Sequence, residues 1–197
     1  MISEVILVYN ALVALWAIWA LYWIGSFVYE AVKGQRKKRV KVKWMPYDIL
    51  LWLSLVLALI PGIGQQLGIL SVRFIPVIPI LWYVGLVITA LGLFFAIWAR
   101  KHLGSNWNGI PALVKGQKLI RTGPYAIVRH PIYTGLLFGM IGSAITVGQY
   151  RGLIAIVLMA IFCWSRIRTE EKIMKDEFGK QYDTYKKEVK AIIPWIL

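Results

Sequence analysis

Long apolar runs recur along almost the whole of this 197-residue sequence, and short segments that carry most of the charge separate them. Hydrophobic residues make up 59% of the chain and charged residues only 16%, which lies outside the range of soluble globular domains. An apolar run of about 20 residues can cross a bilayer as a helix, in which every backbone polar group is satisfied internally. The sequence therefore predicts an all-α integral membrane protein that forms a single membrane domain over residues 1–197.

Five apolar segments are the candidate transmembrane helices, with bounds near residues 5–32, 47–59, 76–98, 131–148 and 153–165. The first lacks the short apolar core and the small-residue cleavage site of a signal peptide, so we expect it to remain in the mature protein. The link between the last two is so short that these helices are expected to form an antiparallel hairpin. On this division, residues 1–98 hold three N-terminal spans. Residues 99–197 hold a polar loop, the hairpin and a C-terminal helix.

The 23 Lys and Arg residues predict the orientation of these spans in the membrane. Seven lie in 33–43, six in 100–129 and eight from Arg166 onward, whereas Arg73 and Arg151 stand alone in the two other links. Five spans place twenty-one of these cations on one side and two on the other, and the positive-inside rule assigns the larger group to the cytoplasm. The N-terminus is then outside, and the C-terminus is cytoplasmic.

Two further features exclude function classes. The basic run 33–43 lies next to a span, where it is better explained as a topology determinant in contact with anionic membrane lipids than as a nucleic-acid site. Cys163 is the single cysteine, so the chain has no internal disulfide and no Cys/His spacing typical of a metal site. We therefore expect neither a nucleic-acid partner nor a metal.

Residues 99–130 form a long cytoplasmic loop rich in Gly and Pro, and long ordered loops are usually functional. Within it, we expect a short strand pair or turn around residues 115–117, followed by a Gly-Pro turn. Pro131 suits the first turn of a helix. His130 and Tyr133 then lie near the positive end of that helix, where an anionic group of a ligand would bind. No GxGxxG signature follows a strand, so this loop itself would have to bind a nucleotide cofactor.

A second polar cluster follows the fifth apolar segment and contains Arg166, Arg168, Glu170 and Glu171. Intrahelical ion pairs worth a few tenths of a kcal/mol are one explanation, and snorkelling to the membrane interface is another. However, the hairpin returns this end of the fifth span to the membrane face where the fourth begins. Ionisable groups that converge at a membrane edge indicate a functional site. Beyond them, Phe178, Tyr182 and Tyr185 are expected to pack onto the site as a lid.

Three motifs in the last half of the chain, from about Leu113, resemble the isoprenylcysteine carboxyl methyltransferase family. They are GPYAIVRHPIYTG at 123–135, RIRTEE at 166–171 and FGKQYDTY at 178–185. The resemblance implies S-adenosylmethionine as the cofactor. It implies, as the acceptor, the C-terminal carboxylate of a prenylated cysteine or a similar lipophilic small molecule or protein. Phospholipid N-methyltransferases and NADPH-dependent sterol reductases share the Arg-His-Pro motif and remain alternatives, as does a non-catalytic membrane protein.

The resemblance also implies roles for individual residues. A carboxylate acceptor needs alignment and charge recognition rather than a strong base, so Arg166, with Arg168 as second choice, is expected to hold it. Glu171 would pair with the cofactor's ammonium group and His130 with its carboxylate. The other residues implied in cofactor binding are Gln117, Lys118, Leu119, Ile120, Tyr125, Pro131, Ile132, Tyr133 and Glu170. For a reductase, Lys115, Lys118 and Arg121 could instead bind the 2′-phosphate of NADPH.

Overall fold

The computed structural model describes residues 2–32, 39–42, 48–60, 68–107, 112–114, 116 and 118–194. Its helices are α1 (Ile2–Val32), α2 (Asp48–Leu59), α3 (Pro79–Leu103), α4 (Pro124–Ile127), α5 (Pro131–Val147), α6 (Tyr150–Phe178) and α7 (Lys180–Glu188). Short 3₁₀ turns occur at Gly68–Ser71 and Gly104–Asn106. The expected helical architecture is confirmed, since a helix covers each of the five apolar segments.

Three helical stretches are long and apolar enough to cross a membrane: Ser3–Tyr29, Pro79–Asn106 and Tyr150–Phe178. Helices α2 and α5 are also apolar, but they have only 12 and 17 residues. The chain is thus a helical membrane protein by the composition of these helices. The five-span arrangement stays a prediction.

Helices α3 and α5 approach each other almost backbone to backbone. A Cβ atom added at Gly92 would lie 2.6 Å from the backbone nitrogen of Gly139, and one added at Gly85 would lie 2.6 Å from the carbonyl oxygen of Gly142. In a lipid environment the hydrophobic effect does not drive two helices together, so they associate through close packing. Small residues at the interface make that close packing possible. The contact fixes α5, and therefore the residues at its N-terminal end, against α3.

Helices α5 and α6 form the predicted hairpin. Gly148 ends α5 in a left-handed conformation with φ 67°, and its N–H donates to the carbonyl of Ala144. Because only Gly148 and Gln149 separate the two helices, they run antiparallel. The thiol of Cys163 on α6 accordingly lies 4.0 Å from the carbonyl oxygen of Tyr133 in the first turn of α5. The far end of α6 thus returns to the start of α5.

Two arginines of α6 hold the two ends of α2. The buried Arg151 donates to the carbonyl oxygens of Leu57 at 3.0 Å and of Ile60 at 2.6 Å, where α2 ends. At the other end of α2, Asp48 lies 3.5 Å from Nη1 of Arg166. The N-terminal half of the chain therefore contributes directly to the region where the polar clusters lie.

A two-stranded antiparallel sheet adds to the helices. Strand β1 (Arg39–Val42) pairs with β2 (Ala112–Val114). Pairing within the loop, around residues 115–117, was the expectation, and Lys115 and Gln117 lie outside the described residues. The observed partner of β2 is β1, which lies some 70 residues earlier in the chain, within the basic segment 33–43.

Candidate active site

The start of α5 is held in place by the segment that follows α7. The backbone N–H of Arg129 donates to the carbonyl of Lys190 at 2.8 Å, and that of His130 donates to Ala191 at 2.9 Å. The hydroxyl of Thr134 donates to the carbonyl of Ile192 at 2.8 Å. These bonds satisfy the extended backbone that precedes α5, and they fix where the side chains of residues 129–133 lie.

Side chains from three helices meet in one polar network, which we name the central cluster: Asp48, Tyr133, Arg166 and Glu170. The hydroxyl of Tyr133 donates to Oε1 of Glu170 at 2.5 Å and accepts a hydrogen bond from Nε of Arg166 at 3.2 Å. Nη1 of Arg166 faces Asp48 at 3.5 Å. Arg166 is only 6% exposed and Tyr133 8%, so neither is an exposed membrane-interface anchor. The two polar clusters of the sequence are thus one site.

Glu171 belongs to a second network behind the central cluster. Arg129 donates to Oε1 of Glu171 from Nη2 at 2.6 Å and from Nε at 3.1 Å. Lys186 donates to Oε2 at 2.7 Å. Arg129 also donates to the carbonyls of Lys186 and Val189. The carboxylate of Glu171 is therefore already bound by two cations of the protein itself.

His130 lies between the two glutamates. Its Nδ1 is 3.7 Å from Glu170 and its Nε2 is 3.5 Å from Glu171, which is too far for normal hydrogen bonds but close enough for strong electrostatic attraction. Burial lowers the pKa of His130, but the two carboxylates outweigh it and raise the pKa above its usual value. Among the described residues, the buried Nε2 has no hydrogen-bond partner. The two carboxylates therefore favour the charged form of the buried His130.

A cavity of about 480 Å³ opens onto the central cluster and is large enough for a small-molecule ligand. One side of it is polar, with Asn106, Lys118 and His130 beside the central cluster. The other side is apolar and comes from the first two helices, through Trp19, Trp23, Ile24, Phe27, Leu51 and Trp52. The same cavity is thus lined by charged groups and by an extensive apolar surface.

Three tyrosines, Tyr125, Tyr182 and Tyr185, form a further wall. The hydroxyl of Tyr185 donates to the carbonyl of Tyr125 at 2.6 Å, which ties α7 to α4. Burial raises the pKa of Tyr185 to about 12, and it also raises the pKa values of Tyr125 and Tyr182, so all three are neutral phenols. Of the three residues expected to form a lid, Tyr182 and Tyr185 line the cavity and Phe178 does not.

Nine of the residues expected at the site line this cavity, although their roles stay predictions: Lys118, Leu119, Ile120, Tyr125, His130, Ile132, Tyr133, Arg166 and Glu170. Pro131 is buried at the first position of α5 and does not line the cavity. Gln117 lies outside the described residues.

Two more of the expected residues do not line the cavity. Arg168 is exposed, and its guanidinium lies 4.6 Å from the ring centroid of Trp164. Two residues along an α-helix correspond to a rotation of about 200°, so Arg168 points away from the cavity that Arg166 faces. Glu171 is rotated by about 100° from Glu170 for the same reason. The glutamate that lines the cavity is Glu170, and Glu171 holds Arg129 and Lys186 instead.

The residues missing from the sequence-based site come from the first half of the chain and from the 3₁₀ turn that follows α3. They include Asp48, Asn106 and the tryptophans Trp19, Trp23 and Trp107. Asp48 carries a usable signal, because it is one of only three acidic residues before residue 99 and stands at the start of an apolar helix. Tryptophans in a membrane helix carry no such signal, since they are common at membrane interfaces.

Comparison with known proteins supports the resemblance found in the motifs. The protein-S-isoprenylcysteine O-methyltransferase of Schizosaccharomyces pombe is 30% identical over 112 residues, which are 54% of this chain and 46% of that protein. The enzyme of the same name from Tribolium castaneum is 33% identical over 116 residues, 57% of this chain and 41% of that protein. The chain thus spans about half the length of the curated relatives it matches.

The fold is also similar to a solved structure. That structure is of a eukaryotic intramembrane Ras methyltransferase, isoprenylcysteine carboxyl methyltransferase, and it superposes with a TM-score of 0.66 at 24% identity. The match covers 98% of this chain and 68% of that one. The model of the phospholipid methyltransferase family matches residues 80–181, which is more than half of the sequence and includes the central cluster except Asp48. By this match, the chain belongs to the phospholipid methyltransferase family.

Proposed function

We propose that the protein transfers a methyl group from S-adenosylmethionine to the carboxylate of a prenylated cysteine, or of a similar lipophilic acceptor, at the cytoplasmic membrane face. The observation that carries this proposal is the cavity that joins the buried Arg166 and Tyr133 and the partly buried Glu170 to an apolar wall. An acceptor with a charged head and a lipid tail matches both parts of that lining. The names of the curated relatives, protein-S-isoprenylcysteine O-methyltransferases, support the same reaction.

The proposal includes the orientation of the chain. Five spans with the N-terminus outside put the basic segment 33–43, the loop 99–130 and the C-terminal region on the cytoplasmic side. The excess of Lys and Arg in those segments supports this arrangement. The cavity, which lies between the loop, α7 and the ends of α5 and α6, would then be open to soluble cofactor and to membrane-embedded acceptor.

The residues around the cavity fit S-adenosylmethionine. Its ammonium needs a carboxylate, and Glu170 provides one on the cavity wall, in place of Glu171. Its own carboxylate needs a cation, and the buried His130 has a raised pKa and an Nε2 with no hydrogen-bond partner among the described residues. Its adenosine needs apolar and aromatic surface, which Leu119, Ile120 and Tyr125 supply. When bound, the cofactor supplies an activated methyl group on a sulfonium.

Arg166 is the residue that we assign to the acceptor carboxylate. The hydrogen bond from its Nε to Tyr133 and its burial fix the plane of the guanidinium, which leaves its orientation set before the acceptor arrives. A carboxylate is already a nucleophile, so the protein needs only to align it and to exclude water. Trp19, Trp23 and the other apolar residues of the first two helices would exclude water around the lipid tail.

The first experiment is a calorimetric titration of the detergent-purified protein with S-adenosylhomocysteine and, separately, with NADPH. We expect saturable binding of S-adenosylhomocysteine that Glu170→Gln weakens at least about tenfold, because a charged pair is lost in a mostly buried site. Glu177→Gln on the exposed side of the same helix is the matched control and leaves binding unchanged. Binding of NADPH alone would move the assignment to the reductases. Binding of neither would favour a non-catalytic protein.

A phospholipid amine is the second candidate acceptor. The description of the family model supports it, and so does Asp48, a carboxylate in the cavity wall that could pair with a cationic headgroup. Methyl transfer to N-acetyl-S-farnesylcysteine, compared with transfer to phosphatidylethanolamine, distinguishes the two. The reductase has weaker support, because Arg121, one of its three expected phosphate ligands, pairs with Glu188.

A further inference from the structure

Asp48 stands out because it places a second carboxylate next to the cation that the proposed reaction uses. It is the first residue of α2, it lines the cavity, and its Oδ1 lies 3.5 Å from Nη1 of Arg166. The motifs of the last half of the chain do not include it. An acceptor carboxylate bound by Arg166 would have to share the guanidinium with Asp48 or displace it.

We propose that Asp48 is an exchangeable counter-ion of Arg166, which pairs with the guanidinium when the acceptor is absent and leaves it when the acceptor carboxylate binds. This inference rests on the proposed function. Asp48 thereby sets the selectivity between acceptors, because a carboxylate can replace it at Arg166 and a neutral group cannot. It is a specificity-determining residue in the N-terminal half of the chain.

The contacts of the two residues differ in a way that supports exchange. Arg166 is buried, and its Nε donates to Tyr133 at 3.2 Å and lies 3.9 Å from Oε1 of Glu170, so the guanidinium is held from the inner side. The side chain of Asp48 is 45% exposed, and its distance of 3.5 Å is longer than the 2.7–2.9 Å of a strong charged hydrogen bond. Asp48 can therefore rotate away at a small cost, whereas Arg166 cannot.

The anchoring of α2 restricts this exchange to the side chain. Arg151 binds the carbonyl oxygens of Leu57 and Ile60, so the other end of α2 is fixed to α6. The backbone of Asp48 consequently stays beside Arg166 throughout. A carboxylate tethered at such a short distance returns to the guanidinium as soon as the position is vacated.

This return has a role after the reaction. Methylation converts the anionic carboxylate of the acceptor into a neutral ester, which no longer compensates the charge of Arg166. Asp48 then pairs with Arg166 again. The ester product is therefore held in the cavity only by the contacts of its lipid tail. The same logic excludes neutral lipids of similar shape from the charged part of the cavity.

The test measures equilibrium binding through the fluorescence of the cavity tryptophans, in the full chain and in the presence of S-adenosylhomocysteine. The probes are N-acetyl-S-farnesylcysteine, which has a carboxylate, its neutral carboxamide, and phosphatidylethanolamine, which has a cationic headgroup. Asp48→Asn should tighten binding of the carboxylate about two- to fivefold, the range expected when a partly exposed competing ion is removed. Binding of the carboxamide should not change.

Two further variants separate this effect from a general disturbance. Asp48→Glu keeps the charge, so it should leave the affinity for the carboxylate within about twofold of wild type. Asp183→Asn removes a carboxylate of similar exposure, 43%, which pairs with Lys175 at 3.2 Å outside the cavity, and should change neither affinity.

Each outcome decides the question. Weaker or unchanged binding of the carboxylate in Asp48→Asn overturns the inference, because Asp48 would then organise Arg166 or be irrelevant to it. Weaker binding of phosphatidylethanolamine in that variant also overturns it and makes Asp48 a ligand of a cationic headgroup. If wild-type protein binds and methylates N-acetyl-S-farnesylcysteine, only the inference is at stake. If it does neither, the proposed function fails as well.

Discussion

Nη2 of Arg129 lies 2.6 Å from Oε1 of Glu171, and this ion pair joins the segment that leads into α5 to the C-terminal part of α6. Glu170 is the next residue in sequence, yet it faces the cavity and the hydroxyl of Tyr133 instead. Two adjacent carboxylates therefore have different tasks. One stabilises the structure of the site and the other lines its ligand cavity.

Glu171→Gln should lower the stability of the protein by about 1–3 kcal/mol, because Arg129 and Lys186 lose the anion that they share. The thermal unfolding midpoint in detergent, read by tryptophan fluorescence, measures this loss. Glu177→Gln, an exposed carboxylate on the same helix, should stay within about 0.5 kcal/mol of wild type. Equal midpoints for the two variants would contradict the structural role of Glu171.

Arg166→Ala should lower kcat/KM for a carboxylate acceptor at least about 30-fold, since truncating one partner of a buried charged pair costs about 2 kcal/mol or more. Arg168→Ala is the matched control, because this arginine lies two residues away but stacks on Trp164 outside the cavity. Methyl transfer to N-acetyl-S-farnesylcysteine measures both. Similar losses of kcat/KM in the two variants would contradict the assignment of the acceptor carboxylate to Arg166.

The raised pKa of His130 predicts a pH-dependent contribution to stability. The protonated imidazole is stabilised in the folded state by Glu170 and Glu171, so the contribution is complete below the unfolded value of about 6.5 and is lost as the pH rises through the raised pKa. The difference in unfolding midpoint between wild type and His130→Gln should therefore shrink from pH 6 towards pH 9.

The other histidine of the chain provides the control for this measurement. His102 is exposed and contacts the hydroxyl of Thr122 at 2.9 Å, away from both glutamates. His102→Gln, measured over the same pH range, gives the baseline with which the His130→Gln difference is compared. A constant difference for His130→Gln relative to that baseline would mean that its imidazole is not charged in the folded state.

Gly92→Ala should destabilise the protein by about 1–3 kcal/mol, because the new methyl group would lie 2.6 Å from the backbone of Gly139 and force α3 and α5 apart. Gly25→Ala makes the same change in α1, where no described atom beyond the neighbouring helix backbone lies within 4 Å of the added carbon. That variant should be neutral or slightly more stable, since Ala favours a helix. The two unfolding midpoints, compared in the same detergent, check the prediction.

The helices and the charged clusters could be predicted from the sequence because they depend on local patterns. The apolar runs predicted the positions of the helices. The shortness of the link after residue 148 predicted the hairpin that brings Tyr133 close to Arg166. Adjacent residues of one helix were harder to separate. Whether Glu171 and Arg168 face the cavity depends on the orientation of α6 about its own axis. That orientation is set by the helices that pack against α6.

Contacts between distant segments were beyond sequence reasoning on a single chain. The pairing of β1 with β2 and the approach of Asp48 to Arg166 depend on how the first half packs on the second. No periodicity or motif encodes such packing. Asp48 alone could have been chosen as a candidate site residue from the sequence, because it is an isolated acidic residue at the start of an apolar helix.

The hydrogen bonds from Arg129, His130 and Thr134 to residues 190–192 also bear on the order in which the protein is made. Thr134 leaves the ribosome 58 residues before Ile192, its partner across the start of α5. The membrane helices can insert during this interval, but the extended backbone at residues 129–130 has no partner until residues 190–192 emerge. The site is therefore completed after synthesis of all the helices, and a nascent chain would be inserted in the membrane before it could bind its ligands.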